Sequence, residues 1–210
     1  MSELILYYAP KTRATAARML LEELGAPYEL RILNLAKGEQ RTAEFLAVNP
    51  LGKVPTIVHK GVVVTEQVAI YLYLADAFPQ AGLAPAIGDP LRGPYLRWLA
   101  FYGSAFEPAM IDHAQQRGLE RSAMSAYGSY DDVVAAIRVQ LATGPYILGE
   151  TFTAADILWG TALRWMSAFG LIEATPEIAA YVERIAARPA AIKTSAEDDE
   201  VAARQKAEAP

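Results

Sequence analysis

Three short segments carry groups suited to holding a small charged molecule. Val54-Pro55 opens a β-branched run. A proline at the head of a strand removes one N–H and can hold the preceding bond cis. That turns an edge outward and leaves the Val54 backbone able to pair with an extended peptide. Thr65-Glu66-Gln67 opens a helix, where free N–H groups and partial positive charge attract a carboxylate. Glu66 beside that site can hold an ammonium, and an α-amino acid head group needs both. Ala9-Pro10-Lys11-Thr12-Arg13 follows the first strand and offers one hydroxyl and two cations near another helix N-terminus. Such a place can lower the pKa of a ligand thiol. The aromatics Trp98, Phe101, Tyr102, Phe106, Trp165 and Phe169 lie at helical spacing on later segments, as core or as pocket wall. Taken singly, each segment also has a plainer account: a strand-opening proline, an acidic cap, a threonine that only caps its helix, an aromatic core.

The elements that must position these groups follow from periodicity. Leu4 to Tyr8 is β-prone and is broken by Pro10. Ala16, Ala17, Leu20, Leu21 and Leu24 recur every three or four residues, predicting an amphipathic helix over 12–24 that ends at Gly25. Tyr28 to Leu33 is a second strand, and a helical turn near Thr42 to Ala47 precedes the turn Asn49-Pro50-Leu51-Gly52. Two β-branched runs around Lys60-Gly61 predict a hairpin, followed by a helix from Glu66 to Ala77. Residues 1–78 therefore read β-α-β-α-β-β-α. Residues 79–94 are rich in proline and glycine and form a linker. Beyond it only helices are predicted: Tyr95 to Arg117, Ser122 to Leu141, Thr153 to Phe169, Pro176 to Arg188, and a solvated, fraying tail near Ala190 to Lys206. Thr153-Ala-Ala-Asp156 reads as a capping box. The fold class is α/β plus all-α, with an all-helical domain over 95–210.

Composition narrows the partners. Hydrophobic residues make up 53% of the 210, enough for a core, and the net charge of −5 is mixed along the chain. No concentrated basic face is available for nucleic acid or an anionic membrane surface. There is no cysteine, so disulfides, thiolate metal sites and cysteine nucleophiles are excluded. His59 and His113 lie far apart, which argues against a metal centre. The N-terminus lacks a basic segment followed by an apolar run, and no apolar run is long enough to span a bilayer, so a soluble cytoplasmic chain is expected.

In this order and spacing the segments resemble the glutathione transferase superfamily over essentially the whole chain. The carrying motifs are Tyr7-Tyr8-Ala9-Pro10, Asn49-Pro50-Leu51-Gly52-Lys53-Val54-Pro55-Thr56, Thr65-Glu66-Gln67-Val68-Ala69-Ile70 with Tyr73-Leu74-Ala75-Asp76, and Phe152-Thr153-Ala154-Ala155-Asp156 with Leu163-Arg164-Trp165. Arg188-Pro189 also fits. The bacterial beta class is most similar. The resemblance implies a thioredoxin-like N-terminal domain holding glutathione as co-substrate, a helical domain with an electrophile pocket, and a homodimer. It implies that Val54 pairs with the cysteinyl backbone and that Pro55 is the cis proline. Glu66 and Gln67 take the γ-glutamyl head, and Lys37 and Lys53 are candidates for the glycine carboxylate. Tyr102, Phe106 and Trp165 are the expected pocket walls.

The departure lies in the first loop. Arg13 stands where beta-class relatives have cysteine, and Glu107 where they have histidine, so a mixed disulfide with the enzyme's own sulfur is ruled out. Thr12 matches the catalytic serine of theta- and delta-like relatives, and Tyr8 matches the activating tyrosine of alpha, mu and pi relatives. The resemblance therefore assigns thiol activation to Thr12, with Tyr8 and Arg13 in reserve. The expected reaction is attack of glutathione thiolate on a small hydrophobic electrophile. Two alternatives stay open: glutathione-dependent peroxide reduction or dehalogenation at the same site, and a non-catalytic ligand-binding module.

Overall fold

The computed structural model describes residues 3–117 and 124–208. The chain divides into two compact units: one runs to Ala81 and resumes at Arg188, and the other spans Gly82–Ala187.

In the first unit, strands β1 (Leu4–Tyr8), β2 (Glu29–Ile32), β3 (Thr56–His59) and β4 (Val62–Val64) form one sheet in the order β2-β1-β3-β4. β1 and β2 are parallel, joined by helix α1 (Ala14–Leu24), as a crossover requires. β3 is antiparallel to both β1 and β4. The periodic face of α1 is buried, and Gly25, at φ +62°, closes the helix in the left-handed conformation that glycine adopts without a Cβ penalty. The β3–β4 hairpin turns through Lys60 and Gly61, both at positive φ, which matches the twist of the flanking strands. Helices α2 (Ala43–Val48) and α3 (Gln67–Ala77) complete the expected set, with Leu4, Leu6, Leu20, Leu21, Ile57 and Ile70 in the core.

The tail departs from expectation. It is a 19-residue helix, α9 (Pro189–Ala207), that packs with the first unit against α1 and does not end the helical domain as a solvated extension. Ala191, Thr194, Asp198 and Val201 face inward at intervals of three and four. Arg188 holds Glu23 of α1 through two 2.7 Å bonds, and Lys193 holds Glu22 at 2.6 Å. Half of the buried stripe is polar, so its hydrophobic period does not stand out.

The second unit contains α4 (Arg92–Phe101), α5 (Glu107–Ala114), α6 (Tyr130–Leu141), α7 (Ala154–Ala168) and α8 (Pro176–Ala186). The helix expected over 95–117 starts at Arg92, inside the expected linker, and is interrupted by a π-helical turn at Tyr102–Phe106. The start expected at Ser122 lies outside the described residues, and α6 begins at Tyr130 after a Ser129/Asp132 capping box. The Thr153/Asp156 capping box is present at the head of α7. Trp159 is the centre of an aromatic core, with the rings of Phe106, Tyr102 and Trp98 at 4.9, 5.7 and 5.7 Å and its indole N–H donating to the Trp98 carbonyl at 3.1 Å. Gly160 lets α7 approach α8 closely, because an added Cβ would lie 2.6 Å from Ile185.

Candidate functional site

Strand register brings the chemistry-bearing loops together. Tyr8 pairs with Ile32, Tyr7 with Thr56, and Ile57 with Val64. The C-terminal ends of β1, β2 and β4 and the N-terminal end of β3 therefore share one end of the sheet. Loops 9–13, 33–37, 53–55 and 65–67 all emerge there.

The loop before β3 is built by its own side chains. Asn49 is buried; its amide donates to the Lys53 carbonyl at 2.9 Å and to the Thr56 hydroxyl at 3.0 Å, and its oxygen accepts from the Leu51 N–H at 3.1 Å. The Thr56 hydroxyl in turn donates to the Lys53 carbonyl at 2.9 Å. Gly52 sits at φ +63°, and a Cβ there would come within 2.7 Å of the Gln40 carbonyl and the Arg41 guanidinium. This framework ends in a cis Val54–Pro55 bond, with Val54 part-exposed and Pro55 buried. The sequence motif contains all of these residues, but the part that Asn49 and Thr56 play in holding Lys53, Val54 and Pro55 is visible only in the hydrogen bonds.

At the head of α3, Glu66 is exposed at φ +62°, ψ 118°. A non-glycine residue held there is strained, and such strain clusters at functional sites. Gln67 follows, and its amide donates to the Arg13 carbonyl at 3.4 Å. The starts of α1 and α3, two helix N-termini with partial positive charge, are thereby bridged side by side.

The β1–α1 loop is held from α9. Asp198, 2% exposed, accepts from the Tyr8 hydroxyl, from the Thr15 hydroxyl at 2.6 Å, from the Lys11 N–H at 3.1 and 3.2 Å, and from the Lys11 ammonium at 3.2 Å. Next to it Glu197 pairs with Arg18 of α1, which also donates to the Tyr28 hydroxyl at 3.1 Å. Burial, and then the bond to Asp198, push the Tyr8 phenol well above its ordinary value. Tyr8 is thus a fully buried donor to a carboxylate, at 0% exposure. Thr12 is part-exposed; its hydroxyl donates to the Ala9 carbonyl at 2.7 Å and accepts from the Ala14 N–H at 3.2 Å. The Arg13 side chain is exposed.

The remaining candidates are spread out. Lys37 pairs with Glu208 at 2.9 Å, which raises the Lys37 ammonium and lowers the Glu208 carboxyl. Both line a cleft of about 290 Å³ between the end of β2 and the last turns of α9. Lys53 is exposed. Tyr102 and Phe106, expected as pocket walls, are core residues at 3% and 0% exposure, because their rings pack on Trp159; Tyr102 also donates to Glu107 at 2.8 Å. Trp165 is half-buried beside the exposed ring of Phe169.

Comparison with known proteins agrees with this geometry. Residues 2–76 match the model of the glutathione S-transferase N-terminal domain and residues 111–184 that of the C-terminal domain. A glutathione transferase from Methylococcus capsulatus str. Bath is 31% identical, with a TM-score of 0.79, covering 94% of this chain and 99% of its own. A sphingomonad glutathione S-transferase complexed with glutathione is 33% identical, with a TM-score of 0.76, over 93% and 98% of the two chains. A bacterial beta-class enzyme from Sphingomonas chungbukensis is 30% identical, with a TM-score of 0.75, over 92% and 98%. Among the described residues no helix is long and apolar enough to cross a membrane. A four-stranded thioredoxin-like sheet with a cis proline at its open end, an all-helical second unit and similarity along nearly the whole chain together make this protein a member of the glutathione S-transferase family, and a glutathione transferase.

Proposed function

We propose that the chain binds glutathione along Val54 and at the head of α3, and that its thiolate attacks small hydrophobic electrophiles. The observation that carries the reading is the convergence of loops 9–13, 53–55 and 65–67 at one end of the sheet, with α1 and α3 bridged by Gln67. The Val54 backbone pairs with the cysteinyl unit beside the cis proline. Glu66 holds the γ-glutamyl ammonium, and Gln67 with the α3 N-terminus holds its carboxylate. Lys53, adjacent to Val54, takes the glycine carboxylate; Lys37 first has to leave Glu208. The complex of the sphingomonad relative with glutathione supports this ligand.

Thiol activation falls to Thr12. Tyr8 is occupied by Asp198, whereas the Thr12 hydroxyl is part-exposed and has only to turn from the Ala9 carbonyl to donate to sulfur. A free thiol ionises near pH ~8.5. One hydrogen bond, the N–H groups at the start of α1 and the Arg13 charge lower that by about 1–2 units. Each unit is about 1.4 kcal/mol of differential stabilisation. The thiolate then forms a carbon–sulfur bond as the leaving group departs. The electrophile is assigned to the helical unit, with Tyr102, Phe106 and Trp165 as the apolar residues that the family resemblance implies, and a homodimer is the expected assembly.

The test separates binding from chemistry. Thr12→Ala is expected to reduce turnover with an aryl halide at least tenfold, an effect of about 1.4 kcal/mol, with little change in glutathione affinity by titration calorimetry. Thr12→Ser is expected to retain most activity. Glu66→Ala is expected to abolish retention on immobilised glutathione. Equal losses of turnover and affinity in Thr12→Ala would remove the role given to its hydroxyl. Tight glutathione binding by the unmodified protein without turnover of aryl halides, hydroperoxides or haloalkanes would instead make it a binding module.

A further inference from the structure

Resting on the glutathione reading above, a role in the chemistry extends to the last helix. Lys11 immediately precedes Thr12 and sits at φ +57°, in the left-handed region that a lysine seldom occupies. Its backbone N–H is held by both oxygens of Asp198, and its ammonium by Asp198 and Asp199. The same carboxylate ties down the hydroxyls of Tyr8 at the end of β1 and Thr15 in the first turn of α1. Every partner of Asp198 is a donor, so the site requires a group that only accepts; an amide would turn its NH₂ toward one of them. The Asp198 charge is met by Lys11 within 3.2 Å, and Glu197 is engaged with Arg18, so the carboxylate acts on the loop through geometry. We propose that Asp198 is a positioning residue for thiol activation: it locks Lys11 in its left-handed conformation and so aims Thr12 and the start of α1 at the glutathione sulfur.

The experiment compares Asp198→Asn with Glu197→Gln, which loosens α9 from Arg18 without touching the loop. Turnover with an aryl halide, glutathione KM, thermal unfolding and the ultraviolet thiolate absorbance of bound glutathione at neutral pH are measured. Asp198→Asn is expected to lower kcat about tenfold, as a small misplacement of a reacting group does. The thiolate signal should fall with it while KM changes by less than about twofold, because the head-group contacts lie elsewhere. Glu197→Gln is expected to lower Tm and leave kcat and the thiolate signal in place. Adding Lys11→Gly to Asp198→Asn is expected to restore most of the thiolate signal, since glycine takes a positive φ without penalty. Should Asp198→Asn not fold, Lys11→Val, a β-branched residue that resists this φ, makes the same test with the carboxylate kept. An unchanged thiolate signal in Asp198→Asn or Lys11→Val, equal losses in the two acidic variants, or no recovery in the double variant would overturn the proposal. A wild-type protein that shows no glutathione binding would overturn the underlying reading instead.

Discussion

Asp156 and Asp198 are both closed off from solvent, yet the chain satisfies them in opposite ways. Asp156 is answered largely from nearby. It accepts from the N–H groups of Thr153 at 2.8 Å and Ile147 at 2.7 Å, within nine residues, and from the Tyr181 hydroxyl at 2.9 Å. Burial dominates its titration and raises its pKa despite those bonds. Asp198 is answered from the far end of the sequence, 183 to 190 residues away, by Tyr8, Lys11 and Thr15. The first aspartate starts a helix. The second joins a helix to the loop that carries the proposed chemistry. A buried carboxylate needs donors wherever they come from, but only the second arrangement makes the active-site loop depend on a remote element.

The largest effect is expected from breaking the local member of the pair. Asp156→Ala leaves the N–H groups of Thr153 and Ile147 buried without their acceptor and the Tyr181 hydroxyl with only the residue 156 backbone carbonyl, at 3.5 Å. The summed cost is about 3–5 kcal/mol, read as a drop in the urea midpoint at unchanged slope. Glutathione turnover per folded molecule should hold. A selective loss of turnover at intact stability would mean that this aspartate, too, serves the site, and the contrast would collapse.

The two aspartates also differ in how far the sequence exposed them. Thr153-Ala-Ala-Asp156 is a four-residue signature whose physics is contained in those residues, and it was legible. So were the Asn49–Thr56 turn and the Thr65-Glu66-Gln67 helix start, because glycine, proline and capping residues act locally. Asp198 was hidden because the buried stripe Ala191, Thr194, Asp198, Val201 sets two polar members between two apolar ones within a Glu-, Lys- and Ala-rich run. Read by hydrophobic period alone, that stretch is a solvated end. The clue was the spacing of three, four and three, which keeps these positions on one face whatever their polarity. The π-helical turn at Tyr102–Phe106 was invisible for a different reason. Its residues have ordinary helical character, and it is the packing around Trp159 that buries the rings of Tyr102 and Phe106.

A middle-sized effect should sharpen the long-range member. Tyr28 links Arg18 to Glu22, donating to the latter at 2.6 Å, in the network that seats α9 on α1. Burial, and then the Glu22 carboxylate, push its phenol from 10.0 up to about 12. A folded pKa above the unfolded one favours the native state fully below about pH 10 and loses that contribution as pH rises through about 12. Tyr28→Phe is expected to cost about 1 kcal/mol at neutral pH and to make the alkaline fall in stability shallower. Unfolding curves from pH 8 to 11 check both. An alkaline limb that keeps its wild-type steepness would mean that this phenol does not stiffen the seat of α9.

The smallest effect should come from Tyr8→Phe, and its smallness is what gives it force. Asp198 retains the Lys11 N–H, the Lys11 ammonium and the Thr15 hydroxyl when the phenol oxygen is removed. Arg18 loses one contact to the phenol oxygen but keeps Glu197 and Tyr28, and the Asp198 carboxylate keeps its other donors. The expected cost is about 0.5–1 kcal/mol of stability, with turnover lowered by no more than about twofold, since the Lys11 conformation and the Thr12 hydroxyl both survive. Were Tyr8 itself to supply the hydrogen bond to sulfur, its removal would cut turnover by orders of magnitude and leave glutathione affinity nearly intact. Steady-state kinetics on Tyr8→Phe beside Thr12→Ala therefore decide which hydroxyl touches the thiol. They also decide whether the carboxylate from α9 acts by occupying Tyr8 or by shaping the turn at Lys11.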